Sequence, residues 1–129
     1  MQKIARREDW KAVAMPACRE TIPFRRSYSL EEFARLQVGD IPRSMDDKWF
    51  IYYEDPHLFL HRSWTGFCNY VVRFERSGTR IVCDSAEVNR DREQYDSPGV
   101  EYDAQRLATV LDSRARPRQQ PESSLDIEL

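Results

Sequence analysis

Between Lys48 and Asp84 the chain carries four short runs rich in aromatic and β-branched residues, joined by turn signals too short to let neighbours run parallel. They are Lys48–Glu54, His57–Ser63 after Asp55-Pro56, Phe67–Glu75 after Trp64-Thr65-Gly66, and Arg80–Asp84 after Ser77-Gly78. Aromatic and β-branched side chains fit a pleated, half-buried surface, and tight connections force antiparallel pairing. The expectation is therefore an α+β domain built on an antiparallel four-strand meander packed with two main helices.

Side chains on a strand alternate between faces with period two. Trp49, Ile51 and Tyr53 thus share one face; Leu58 and Leu60 oppose Phe59 and His61; Cys68, Tyr70, Val72 and Phe74 oppose Asn69, Val71 and Arg73. Several strands are apolar on both sides, and a sheet of that kind needs cover on both faces. With few helices to supply it, a homodimer or another interaction through the sheet is one expectation.

The first helix is well specified. Ser29 with Glu32 three positions on makes a capping box, Tyr28 can pack on Phe33, an apolar face of Leu30, Phe33, Ala34 and Leu36 follows, and Gly39 ends it. The second is expected over 104–114, capped by Asp103, with Leu107, Val110 and Leu111 buried. The charged stretch Glu87–Pro98 between them reads as a surface excursion. Residues 1–20 read as an arm with a short helix over Arg7–Ala14 that Pro16 ends, residues 21–115 as one domain, and residues 116–129, rich in proline, glutamine, serine and acids, as a disordered tail.

Composition narrows the function classes. A chain of 129 residues is long enough for one self-sufficient core. Its formal charge of −2 provides no chain-wide positive field for a nucleic-acid backbone or an anionic membrane. All but three of the 20 basic residues (Lys3, Lys11 and Lys48) are arginine, which suits planar recognition of carboxylate and phosphate, though codon bias explains the same usage. Cys18, Cys68 and Cys83 form neither a CxxC pair nor a disulfide ladder, so reduced thiols are expected. Glu8, Asp9 and Lys11 interrupt any signal-peptide run, and no stretch reaches the roughly 20 apolar residues of a membrane span. These features point to the cytoplasm, with no cofactor and no metal expected.

The meander brings Arg43–Lys48, His61–Gly66 and Ser85–Asn89 towards one end of the sheet. Loops on a rigid scaffold are where binding groups concentrate. The candidate ligand contacts there are Arg43, Lys48, Arg62, Ser63, Trp64 and Thr65, beside Asp46, Asp47, Glu87 and Asn89. Arginine forks onto phosphate, hydroxyls donate hydrogen bonds, glycine lets backbone approach a ligand, and an indole stacks on a base. Such a set suits a nucleotide-like or phosphorylated small molecule. The plainer reading makes Thr65-Gly66 a turn, Trp64 a core plug and Arg62 an ion-pair partner of Asp46 or Asp47; no GxGxxG or GxxxxGK[ST] loop is present.

Catalysis has weaker support. His57 and His61 lie ~13 Å apart along one strand face, too far to share a zinc ion. His61 and Ser63 are ~7 Å apart with no orienting carboxylate, which argues against a nucleophilic triad. A hydrolase of a phosphorylated or ADP-ribosyl substrate would use His61 or Glu54 as base and Arg62 to hold charge.

The stretches Met45–Glu54 (MDDKWFIYYE) and Leu60–Cys68 (LHRSWTGFC) resemble a small family of uncharacterised bacterial proteins in which this signature sometimes occurs near ADP-ribose-processing domains. The resemblance implies an accessory role in ADP-ribose or nucleotide metabolism. It transfers no catalytic residue.

Overall fold

The computed structural model of the chain describes residues 3–117. Its elements are β1 (Arg19–Ser29), α1 (Leu30–Val38), β2 (Trp49–Glu54), β3 (His57–Arg62), β4 (Cys68–Arg73), β5 (Glu75–Ser77), β6 (Arg80–Asn89) and α2 (Val100–Ala115). The strands form one antiparallel sheet in the order β1-β6-β4-β3-β2, with β5 also paired to β6. The fold is α+β, as expected, but the sheet has six strands rather than four.

The added edge strand and the longer β6 have physical causes. β1 pairs with β6 from Arg19 opposite Asn89 to Ser29 opposite Arg80. Its only buried side chains are Ile22, Phe24 and Tyr28, and between them stand Pro23, Arg25 and Arg26, which mask the strand in the sequence. Proline cannot donate to a ladder and is confined to edges and strand starts; β1 is an edge. β6 runs on to Asn89 where a surface excursion was expected at Glu87. Cys83 and Ala86 are both buried, with Asp84 and Ser85 exposed between them, so one extra residue shifts the alternation there. The long third strand is broken at Phe74 into β4 and β5.

Since each neighbour in the order is antiparallel, β1 and β2 run in the same direction at opposite edges, and α1 carries the chain from one to the other across a single face. The box at its start is formed: Ser29 Oγ accepts from the Glu32 N–H at 3.1 Å, and Glu32 Oε1 accepts from the Ser29 N–H at 2.8 Å. Only Phe33 and Leu36 of the expected apolar face are buried; Leu30 is 46% exposed and Ala34 is exposed. α2 packs beside α1 through Leu107, Val110, Leu111 and Ala115, over a floor of Leu58, Leu60, Tyr70, Val72 and Val88. Each such side chain contributes about 1.5–3 kcal/mol by leaving water.

Asp103 does not cap α2, which begins at Val100 after Gly99. It is fully buried and accepts from the Tyr95 hydroxyl at 2.6 Å, Ser97 Oγ at 2.9 Å and the Arg90 guanidinium at 2.8 Å. Tyr95 gives its proton to Asp103, and the Tyr70 hydroxyl, 2.6 Å from that of Tyr95 and 3.3 Å from Asp103 Oδ1, donates towards both. Burial and the hydrogen bond to Asp103 push the Tyr95 phenol up to about 12, and burial and the hydrogen bond to Tyr95 push Tyr70 higher still.

The expected helix over Arg7–Ala14 is a single 3-10 turn, Arg7–Asp9, after which the arm is extended and Val13 bridges Phe67 in parallel. From residue 118 the expected tail lies outside the described residues. No helix among the described residues is long and apolar enough to cross a membrane.

Three substitutions test this arrangement. Asp103→Asn leaves Arg90 a weaker acceptor and removes the charge that organises both phenols, so urea unfolding is expected to show a loss of about 3–5 kcal/mol. Gly39 and Gly78 both have positive φ, 74° and 62°, but a Cβ on Gly39 would collide with the Ile51 carbonyl and with Ala5, whereas Gly78 has open space. Gly78→Ala is expected to cost about 1–2 kcal/mol of backbone strain, and Gly39→Ala clearly more.

Candidate functional site

The turn after β3 is built as a structural junction. The Ser63 N–H donates to the Lys48 carbonyl at 2.9 Å, Ser63 Oγ to the Asp47 carbonyl at 2.6 Å, and the Trp64 indole N–H to the Met45 carbonyl at 2.9 Å. Thr65 Oγ1 accepts from the Phe67 N–H at 3.1 Å, and the Arg43 N–H donates to Asp47 Oδ2 at 2.9 Å. The segments 43–48 and 61–66 therefore meet, while the end of β6 reaches β4 instead, where Asn89 Nδ2 donates to the Cys68 carbonyl at 2.9 Å.

The six expected contacts do not form one cluster. Ser63 is buried and its hydroxyl is committed to the turn; Arg43, Lys48, Trp64 and Thr65 are exposed, Trp64 at 62%. Arg62 belongs to the helix-covered face, with its guanidinium 5.2 Å from the centroid of the Trp49 ring. His61, its neighbour on the strand, points to the other face, so His61 and Arg62 cannot hold one substrate between them.

That second face carries a cavity of about 470 Å³. Strand register explains its floor. Tyr52 pairs with Phe59, Phe59 with Val71, Val71 with Glu87, and Glu87 with Thr21, so one row of side chains crosses all five positions of the sheet. To one side of this row His57 pairs with Arg73, and Ser85 with Pro23. To the other side lie His61 and Cys68, under the wall formed by Arg7, Ala12, Ala14 and Met15 of the arm. Cys68 was expected on the face of Tyr70. Tyr70 opposes Leu60 and Cys68 opposes His61, so an extra residue at Asn69 turns Cys68 into the recess.

The charged groups differ in how far they are engaged. Arg7 forks onto Glu54 at 2.6 and 3.3 Å and lies 5.8 Å from the Tyr52 ring and 5.9 Å from the Phe59 ring. Arg19 holds Glu87 at 2.9 Å and donates to the carbonyls of Pro16 and Met15, which fastens the arm. Arg73 is freer, exposed and 3.5 Å from Glu75. Among the described residues the side chains of His57, Thr21 and Ser85 make no hydrogen bond, so their donors face the recess unengaged.

His61 has a fixed tautomer. The Gly66 carbonyl can only accept, so Nδ1 carries the proton it shares with that oxygen at 2.9 Å, and Nε2 accepts from the Tyr52 hydroxyl at 3.2 Å. Burial, the largest influence, holds its pKa below the usual value, and the Arg7 charge acts the same way. Burial also pushes Tyr52 and the Cys68 thiol up to about 12, so both stay neutral. With both His61 nitrogens engaged and Glu54 tied to Arg7, the recess is furnished for binding better than for proton transfer. No group of three His, Cys, Asp or Glu among the described residues is placed to share a metal ion.

The sequence reasoning missed Arg7, Arg19, Thr21, Arg73 and Ser85 as lining residues. The alternation of β3 put Phe59 and His61 on one face, and that signal alone marks where the floor lies; the arm that makes it a recess carries no local signature. No family model, curated protein or solved structure matches the chain.

The neutral state of His61 makes a pH prediction. An unfolded chain protonates this histidine near 6.5, whereas the native state resists protonation until lower pH, so the unfolded state binds more protons and stability falls as pH drops below about 6.5. His61→Gln should flatten this loss, by up to about 1.4 kcal/mol per pH unit across the window, in urea melts compared above and below that pH.

Proposed function

We propose that this protein is a binding module for a nucleotide-like or phosphorylated small molecule, held in the recess on the open face of the sheet. The observation that carries the reading is the cross-strand row from Tyr52 to Thr21, an aromatic and apolar floor over Tyr52, Phe59 and Val71 that ends on Thr21 and on Glu87, which Arg19 holds, with Arg73, His57 and Ser85 along its outer side. A flat apolar body lies against Phe59 and Val71, while an anionic group takes hydrogen bonds from Arg73, His57 and the two hydroxyls. The volume of about 470 Å³ lies within the range of small-molecule sites. The resemblance through Met45–Glu54 and Leu60–Cys68 favours an ADP-ribose or nucleotide ligand and an accessory role beside an enzyme of that metabolism.

A thermal-shift screen against nucleotides, ADP-ribose, NAD and simple phosphates tests this. Selective binding to the native state adds about 2.7 kcal/mol of apparent stability at a hundredfold excess over Kd. The expected result is a saturable shift that Arg73→Gln and Phe59→Ala abolish while both variants remain folded. A shift lost instead in Trp64→Ala or Lys48→Ala would move the ligand to the turn after β3. No shift with any compound would sink the reading.

A second reading has its own observation. Trp10, Val13, Met45 and Trp64 are 38%, 40%, 71% and 62% exposed, and the arm and turn that carry them are tied together by the Trp10 indole donating to the Ser63 carbonyl and by the Val13–Phe67 bridge. Exposed aromatic groups of this kind favour a protein-interaction surface, a homodimer among them. Light scattering that gives a monomer mass at every concentration would remove the homodimer.

A further inference from the structure

On the helix-covered side of the sheet, away from the recess, two guanidiniums share one indole. Arg62 pairs across the strands with Trp49, and its guanidinium lies 5.2 Å from the ring centroid; Arg106, from the second turn of α2, lies 5.1 Å from the same centroid. Among the described residues six arginines are half-buried. Arg26, Arg90 and Arg114 reach carboxylates, and Arg35 reaches the Ala115 carbonyl at 2.7 Å. Arg62 and Arg106 alone reach neither a carboxylate nor a carbonyl, and they are the two that meet the same indole. The single polar contact of the pair is Arg106 donating to the Tyr102 hydroxyl at 3.4 Å.

Partial burial of two like charges without a counter-charge is unfavourable, since each loses hydration and repels the other. Burial and the nearby Arg106 both act against the charged form of Arg62. Stacking on Trp49 returns part of this. What would neutralise the pair is a dianion with several acceptor oxygens, because a carboxylate leaves one cation uncompensated. The Tyr102 ring, 45% exposed and 5.9 Å from the Arg106 guanidinium, stands at the rim with its hydroxyl available as a further donor.

We propose that Arg62 and Arg106, held on Trp49, form a phosphate-binding site separate from the recess. The ligand class is a phosphate dianion, free or as the terminal phosphoryl group of a small molecule, bound by paired N–H donors from the two guanidiniums. The proposal does not depend on the recess, and the variants that test each are different.

The experiment uses the full chain, with inorganic phosphate as probe at a pH where it is mainly dianionic and sodium chloride of matched ionic strength as control. The chain has three tryptophans, so Trp10→Phe and Trp64→Phe assign the Trp49 indole N–H in a proton–nitrogen correlation spectrum by elimination. Phosphate is expected to shift that resonance saturably. Affinity should fall about tenfold or more in Arg106→Gln, in line with the loss of a charge-assisted hydrogen bond, and less in Arg106→Lys, which keeps the charge without the fork. Arg73→Gln should leave the titration unchanged. A Trp49 resonance that chloride moves as much as phosphate does, or an Arg106→Gln protein that binds phosphate as tightly as the parent, would overturn the proposal. Should Arg106→Gln not fold, an undiminished affinity in Arg106→Lys would overturn the paired-fork geometry by itself.

Discussion

The carboxylate of Asp103 is the point on which the layers of this protein hang. It is fully buried and accepts from Tyr70 on β4, from Tyr95 and Ser97 in the loop before α2, and from Arg90 just past β6, which also reaches Glu20 on β1 at 2.8 Å. A buried charge is tolerated only when paired and fully hydrogen-bonded, and satisfying this one fixes where α2 begins, how it lies over the central strand, and where the edge strand ends. The apolar contacts of Leu107, Val110 and Leu111 supply more of the driving force, but they are non-directional; the Asp103 network determines the angle and register at which they meet the sheet.

The two faces of the sheet are closed by different means. One is covered by a pair of helices and holds the larger core; the other is covered at one end by an extended arm that buries only Ala5 and Met15 of its described residues before β1, fastened by the Val13–Phe67 bridge, the Trp10–Ser63 hydrogen bond and the contacts of Arg19. Extended backbone covers less area than a helix, so the second face is only partly sealed and a recess remains beside the arm. Both candidate sites follow from this division. The recess lies where cover runs out, and the Arg62–Arg106 pair lies on the helix-covered face, where Arg106 of α2 meets Trp49 at the start of β2.

Elements specified by local chemistry were legible in the sequence. Ser29 and Glu32 announced α1, and the alternation in β2 and β3 sorted Leu58 and Leu60 from Phe59 and His61. What failed to show was whatever depends on tertiary pairing. β1 is a strand because β6 offers it a ladder, even though Pro23 and its arginines give it little intrinsic strand character. The extra residues at Asn69 and at Asp84–Ser85 break the period of two, which put Cys68 on the wrong face and ended β6 too early. Asp103 has the composition of a cap and the role of a buried hub. Of the candidate site, the string from Arg62 to Thr65 was visible because its polar groups are dense, yet Ser63, Trp64 and Thr65 direct their polar atoms mainly to the turn itself. The recess was invisible because its walls come from segments more than forty residues apart in the chain.

The place of β1 at the sheet's edge has a consequence for how the chain reaches its native state. During synthesis β1 leaves the ribosome well before β6, its only neighbour, whereas β2, β3 and β4 each find their partner a few residues later. For that interval β1 is an unsatisfied template, the kind of segment through which nascent chains associate. Pro23 and the consecutive Arg25 and Arg26 are the features that blunt such a segment, by removing a donor and by placing charge where a foreign strand would lie. The residues that hide β1 from a reading of strand propensity are thus the ones that keep it from pairing with the wrong chain while it waits.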